Sequence, residues 1–271
     1  MKSPDWASYD PVAETYSRIA EPVYFAAVAR DLISAAGIQR GQRLLDAGAG
    51  TGAVLAAAWT RTGGDGDFTA LDHSLQMLRF AGRKVPHVRR IAGGIDRIPC
   101  RNDIFDIVTA SFVLSHVANL EAALAEVGRV LKEGGRCGLS SWGESPAATA
   151  PARLWQEVVR EFMDAGVLQK EVDGALPSES RLASPEAFRS LLDRAGFRDS
   201  NVEVRSYEVR LSTQDFVDSR LIALPSRFMQ ATLPADRWEE FVATGRRRLL
   251  DQLGPEIELH VSVNLATAGK V

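Results

Sequence analysis

Cysteine is nearly missing: Cys100 and Cys137 are the only two in 271 residues, far apart and without metal-type spacing. That excludes a disulfide framework and a cysteine-rich metal site, and it favours a reducing compartment. Long apolar runs are missing too. No stretch approaches the ~18 uninterrupted apolar residues of a membrane span, and Met1 to Trp6 lacks the apolar run of a secretory signal. A cytoplasmic protein with no membrane span is therefore expected. Basic excess is absent: 32 Lys and Arg stand against 35 Asp and Glu, for a net charge of −3 and no polybasic tail. Nucleic acid is accordingly disfavoured as a partner. What remains is ordinary for a folded domain, 45% hydrophobic and 25% charged. The length suits one large α/β domain, or a domain with an appended cap, that buries a sizeable core.

The most informative stretch is Leu44-Leu45-Asp46-Ala47-Gly48-Ala49-Gly50-Thr51-Gly52, followed by Ala53-Val54-Leu55-Ala56. It reads as a buried strand, a glycine turn and a helix start. Glycines there permit positive φ and let backbone lie against a ligand. In dinucleotide sites such a turn carries a pyrophosphate at the helix N-terminus. Asp46 would repel it, and the third glycine comes two residues after the second. A carboxylate at this point suits a ligand bearing an ammonium group.

Short strands alternate with helices as far as residue 142, which predicts a parallel sheet covered on both faces. Strands are expected near 42–47, 67–72, 88–92, 105–111 and 136–142, with two more at 201–211 and 257–269. Ligands in such sheets lie at the carboxyl ends of the strands, where Asp46, Asp72 and Ser111 fall. Residues 9–36 read as helical, interrupted by Pro22 and closed by Gly37. The 143–181 stretch looks irregular around a helix centred on Leu154 to Phe162. Ser184-Pro185-Glu186 is a helix start with cap, proline and acid in order. Two helices, one from Ser212 and one from Pro234 to Leu253, are inserted between the last two strands. An insertion that long near the substrate face suits a lid, and its plainer reading is a stabilising appendage or a dimer surface. Arg246-Arg247-Arg248 belongs to its solvated side.

Five segments in order, the glycine turn, Phe68 to Asp72, Asp72 to Leu78, Phe105 to Val108 and Glu126 to Arg136, resemble the class I methyltransferases dependent on S-adenosylmethionine (SAM). The branch most similar is that of the quinone-biosynthesis C-methyltransferases, and residues 40–145 carry the resemblance. It implies an α/β, Rossmann-like, doubly wound, seven-stranded, mostly parallel sheet with an antiparallel last strand, plus a helical lid. The divisions expected are an N-terminal helical flap at 1–36, a core at 37–212 and 255–271 with 143–181 partly lid, and a lid insertion at 213–254.

The cofactor implied is SAM. Asp46 would face its ammonium, while Gly48, Gly50 and Gly52 would admit its methionine part. Asp72, 20 residues after Gly52, would accept from the two ribose hydroxyls. His73 would stack on the adenine, Ile95 would offer its backbone N–H, and Ser111 with Phe112 would flank the sulfonium. Tyr9 and Tyr16, close to two helical turns apart, would cover the cofactor from the flap, or simply pack in the core. The family usually has an acid where Gly94 stands, so Asp96 or water would have to take that role. His116 is the sole candidate base; its plainer reading is a structural histidine.

Methyl transfer to a small, fairly apolar acceptor is the expected reaction, with the acceptor and the methylated atom left open. Two other readings stand. A methyltransferase fold can hold SAM while its pocket runs a cyclisation or rearrangement, which the Gly94 loop and the lid keep alive. A NAD-dependent oxidoreductase is opposed by Asp46 and the glycine spacing.

Overall fold

The computed structural model describes residues 5–143 and 149–270. Residues 1–4, 144–148 and 271, parts of the expected flap, lid and core, lie outside the described residues. Seven strands form one sheet: β1 (Arg43–Ala47), β2 (Asp67–Asp72), β3 (Arg89–Ala92), β4 (Phe105–Ser111), β5 (Leu131–Trp142), β6 (Arg198–Ser212) and β7 (Glu256–Gly269). The order is β3-β2-β1-β4-β5-β7-β6, with β7 antiparallel to both its neighbours and the other pairs parallel. This is the expected doubly wound sheet. Its order reverses between β1 and β4, which opens a crevice at their carboxyl ends.

Helices cover both faces. On one side lie α2 (Ala26–Ala36), α3 (Ala53–Thr62) and α4 (Leu75–Lys84), whose Leu32, Leu55 and Ala81 pack with Leu44, Phe68 and Ile107 of the sheet. On the other lie α5 (Leu120–Val130), α8 (Glu179–Leu182) and α9 (Pro185–Arg194), where Leu124, Val127 and Phe188 meet Leu45, Val108 and Leu139. Alternate strand residues thus serve opposite faces, as the pleat requires. Caps fix the helix starts: Ser74 accepts from Met77 N at 3.0 Å, Asn119 from Ala122 N at 2.9 Å and Ser184 from Ala187 N at 3.3 Å.

A third apolar cluster stands beyond the sheet's carboxyl edge. It joins α6 (Ala150–Phe162), α7 (Ala165–Ala175), α10 (Thr213–Leu221), α11 (Leu224–Thr232) and α12 (Ala235–Leu253) to Tyr24 and to the far end of the β6–β7 hairpin. There Val209, Leu211, Ile257 and Leu259 are buried, so the overlong hairpin acts as the stalk of this helical layer. Three helices rather than the two expected fill residues 213–253, and α7 occupies part of the stretch read as irregular. Of these, α7 buries only Leu168, whereas α11 buries Leu224, Ser226, Arg227, Phe228 and Met229. The N-terminal segment also differs from a helix broken at Pro22. After the single turn α1 (Ala13–Thr15), residues Tyr16–Phe25 form a π-helix with Pro22 inside it, before α2 begins. The wider turn accommodates a residue that has no N–H to give to an α-helical ladder.

Candidate cofactor and acceptor site

The turn after β1 is held open by three left-handed glycines, with φ of +75° at Gly48, +51° at Gly50 and +90° at Gly52. Their surroundings separate them. A Cβ on Gly48 would lie 2.4 Å from Val113 Cβ, and one on Gly52 would lie 3.0 Å from Ala81 Cα of α4. Above Gly50 nothing stands within 4 Å, so this is where backbone is bare for a ligand. The Gly50 N–H donates to Asp72 Oδ2 at 2.8 Å, and the Ser74 N–H donates to Asp72 Oδ1 at 2.8 Å. Each Asp72 oxygen retains a lone pair for a hydroxyl. Burial raises the Asp72 pKa, against the pull of those two N–H groups.

Asp46, the fourth residue of β1, is 1% exposed. Its Oδ1 accepts from Thr109 Oγ1 on β4 at 2.8 Å, while Oδ2 has no partner among the described residues. Burial pushes its pKa up to about 7, with the Thr109 hydrogen bond working the other way. A buried carboxylate oxygen without a donor is a costly arrangement that an incoming cation would relieve.

At the end of β2, His73 is exposed and Ile95 is buried. A Cβ on Gly94 would meet Asp96 Oδ1 at 2.5 Å and His73 Nε2 at 2.8 Å. The Asp96 carboxylate therefore occupies the space a side chain at 94 would take, beside the His73 ring. Ser111 Oγ hydrogen-bonds Ser140 Oγ at 2.8 Å, and Phe112, just past β4, sits at φ +57°. That unfavourable backbone aims the Phe112 ring at Trp142 and Phe25, with centroids 4.4 and 5.0 Å away. Phe25 stacks on Tyr16 at 5.3 Å, and Tyr16 meets Tyr9 edge-on at 6.1 Å. The two tyrosines thus share a wall even though the segment joining them is no continuous helix. Burial keeps both phenols protonated by raising their pKa.

The N-terminal segment is tied to the turn and to α4. Asp10 Oδ1 accepts from Ser74 Oγ at 2.5 Å and from Gln76 N at 3.1 Å. Buried Glu21, within the π-helix, accepts from Thr51 of the glycine turn and from Lys84. Toward the helical layer, Tyr9 OH stands 3.5 Å from His116 Nε2. His116 keeps exposed surface, yet protein crowds it. Burial and then the Arg227 charge push its pKa down to about 4, against a hydrogen bond to the Ala175 backbone. The imidazole is neutral at pH 7 and able to accept a proton.

Asp46, Asp72 and Ser111 thus lie at or beside the carboxyl ends of β1, β2 and β4, with Gly48, Gly50 and Gly52 in the turn between β1 and α3, and Tyr16, Tyr9 and His116 follow one another through ring contacts, while Ile95 packs in the core with Leu45 and Val108. Sequence reasoning passed over Thr109, Phe25, Trp142 and Arg227. Of these, Arg227 left a signal: a cation inside the helical run Leu224, Phe228, Met229, whose neighbours at that spacing are apolar and buried. By contrast Arg246 and Arg247 are exposed, and Arg248 pairs with Glu161.

SAM fits these residues. Its ammonium would find an acceptor in the Asp46 oxygen that has no donor among the described residues, its ribose hydroxyls would find lone pairs on Asp72, and the open space above Gly50 would admit its chain. A dinucleotide pyrophosphate would instead stand against Asp46. Among the described residues no group of three or more His, Cys, Asp or Glu could hold a metal ion, and no helix is long and apolar enough to cross a membrane.

Residues 45–139 match the family described as a methyltransferase domain. The chain is 44% identical over 163 residues to demethylmenaquinone methyltransferase of Mycobacterium bovis (strain BCG / Pasteur 1173P2), an alignment covering 59% of this chain and 61% of that protein. It is 30% identical over 126 residues to a ubiquinone/menaquinone biosynthesis C-methyltransferase of Idiomarina loihiensis, covering 44% of this chain and 50% of that protein. The chain thus spans between half and about three-fifths of the length of these two relatives. In architecture it is similar to Haemonchus contortus phosphoethanolamine N-methyltransferase 2 in complex with phosphomonomethylethanolamine and S-adenosylhomocysteine. That likeness has a TM-score of 0.60 at 16% identity and covers 100% of this chain and 60% of the other.

Proposed function

We propose, from the premise that residues 45–139 are a class I SAM-dependent methyltransferase domain, that this chain methylates a small, fairly apolar acceptor. The observation that carries the reading is Asp46: a buried carboxylate with one oxygen unpartnered among the described residues, two residues before Gly48 opens the glycine turn whose bare backbone lies at Gly50. That combination suits an ammonium and resists a phosphate.

When bound, SAM supplies a methyl group on a positively charged sulfur that departs as a neutral thioether. The protein's part is alignment and exclusion of water, which for such a displacement accounts for most of the catalysis. Asp46 accepts from the ammonium and Asp72 from the ribose hydroxyls. Asp96 and the Ile95 N–H read the adenine edge, with His73 against its face. Ser111 and Phe112 border the sulfonium, and Tyr16 closes over it from the flap. The helices of 213–254, with part of 143–181, act as the lid. Where the acceptor carries a proton on its nucleophilic atom, His116 takes it at Nε2.

The names of the relatives point to a quinone-type ring as acceptor, and the wall of Tyr9, Tyr16, Phe25, Phe112 and Trp142 accords with a flat apolar ring. A cytoplasmic location is proposed with it, on the near absence of cysteine. The alternative, SAM held for a non-methylating reaction, rests on the Gly94 loop and the lid, and the Asp96 carboxylate beside Gly94 favours the methylating reading. Calorimetric titration with S-adenosylhomocysteine tests the donor half: no binding overturns the proposal. Transfer of label from methyl-tritiated SAM to a set of naphthoquinols and phenols tests the rest, and turnover that runs equally well on S-adenosylhomocysteine would favour the alternative.

A further inference from the structure

Arg227, on α11, is 5% exposed and has no carboxylate within ion-pair distance among the described residues. Its Nη2 donates to the backbone carbonyls of Trp6, at 2.7 Å, and of Ser8. Its guanidinium carbon lies 4.8 Å from the centre of the Tyr9 ring. Nη1 has no partner among the described residues. A guanidinium stays charged even when desolvated, so this is a buried cation answered, among the described residues, by two carbonyls and a ring face. Such a charge is costly unless an anion completes it.

The surroundings of Arg227 belong to the acceptor side of the crevice. Tyr9 lies beneath it and reaches His116, and the Arg227 charge is felt at the imidazole. From Tyr9 the aromatic wall runs through Tyr16 and Phe25 to Phe112 at the end of β4, where the methyl group would be presented. The acids nearest in effect, Asp72 and Glu179, act on Tyr9 and pair with neither end of the guanidinium.

We propose that Arg227 binds an ionised oxygen, carboxylate or phenolate, on an aromatic acceptor that lies along the Tyr9–Phe112 wall beside His116. The proposal rests on the reading of this crevice as the acceptor site and narrows the acceptor to an aromatic acid or an ionisable phenol. The guanidinium would hold the oxygen through Nη1 while the ring meets the wall, which fixes the ring atom offered to the methyl group. A positively charged anchor also holds a phenol in its nucleophilic, ionised form.

Equilibrium binding of matched probes tests this. 1-Naphthoate is compared with neutral 1-naphthamide, and ionised 2,4-dinitrophenol with 2,4-dinitroanisole, on the full chain with and without S-adenosylhomocysteine. The expected result is a preference for the anion of about tenfold or more in at least one pair, the size of one charge-assisted hydrogen bond. The carboxylate pair and the phenolate pair distinguish the two sources of the charge. Arg227→Met is expected to abolish the preference and Arg227→Lys to keep part of it. Equal binding within both pairs, or no binding of any probe, overturns the inference, as does a preference that survives in Arg227→Met. Should that variant not fold, the wild-type preference and its weakening in Arg227→Lys still decide. A tie serving only to join Trp6 and Ser8 to α11 would lower stability in the variants without any anion preference in the wild type. Failure of S-adenosylhomocysteine to bind sinks the donor reading instead, and leaves the anion preference readable on the free protein.

Discussion

Replacing Asp46 by Asn should change how stability depends on pH. In the free protein the Asp46 carboxyl titrates near 7, against an ordinary value of 3.8. A folded pKa above the unfolded one means that the native state holds the proton longer. Stability is therefore fullest at low pH, falls as pH rises through this window, and levels off above about 7. The full penalty on the ionised group is about 4 kcal/mol, of which about 2 to 3 kcal/mol accrues between pH 5 and pH 8. In a chain of this size that corresponds to roughly 5 to 10 °C in Tm. Asparagine keeps the acceptor for Thr109 Oγ1 and places a neutral amide where Oδ2 stood. Its unpartnered N–H costs about 1 kcal/mol or more, by the same amount at every pH. Thermal unfolding of both proteins without cofactor, from pH 5 to pH 8, reads the difference. The gap should move in favour of Asn by several degrees as pH rises, while affinity for S-adenosylhomocysteine drops about tenfold or more. Parallel pH curves for the two proteins would refute the reasoning, since they would mean that Asp46 is solvated or already paired.

Three further outcomes follow from the same geometry. Gly50→Ala should fold, with about 1 to 2 kcal/mol lost to its left-handed φ, and should fail to bind S-adenosylhomocysteine; Gly48→Ala should lose much more stability against Val113. Undiminished calorimetric binding by Gly50→Ala would place the ligand elsewhere. His116→Ala should lower kcat for a protonated acceptor by about a hundredfold or more. The wild-type rate should show no histidine step between pH 6 and pH 8, because that ring gains its proton only toward about pH 4; a full-speed variant would leave His116 without a chemical role. Asp96→Ala should weaken adenosine binding about tenfold with no change in Tm, since the side chain is exposed; equal adenosine affinities would return the adenine edge to water.

The sheet was legible because its central strands are apolar runs closed by an acid or a glycine. β1, β2 and β4 fall where Leu44-Leu45-Asp46, Phe68 to Asp72 and Phe105 to Ser111 put them. β5 begins earlier than expected, at Leu131. Its first part passes Gly134, at φ +73°, as an irregularity in the pairing with β4 before the regular register starts at Arg136. The helix α7 escaped because it buries only Leu168, and α11 because Ser226 and Arg227 interrupt its apolar positions, which in both cases blurs the 3.6-residue period. The donor end of the site could be read from local spacing, since Asp46, the glycines and Asp72 lie on consecutive turns. Arg227 could not be placed, because its meaning depends on Trp6, Ser8 and Tyr9, more than two hundred residues away. At Gly94 the space a side chain would take is filled by the Asp96 carboxylate, two positions along, a placement that spacing along the chain does not reveal.

The contacts between Arg227 and the carbonyls of Trp6 and Ser8 span 221 and 219 positions. They close a loop of more than two hundred residues, and β7, the latest in sequence of the seven strands, has to enter between β5 and β6. Closures of that length come late in folding. The parallel core with its glycine turn can assemble while the N-terminal segment still lacks its anchor. During synthesis, then, the protein passes through a stage with a finished floor and no roof. The segment of Trp6 and Ser8 is among the last to find its place.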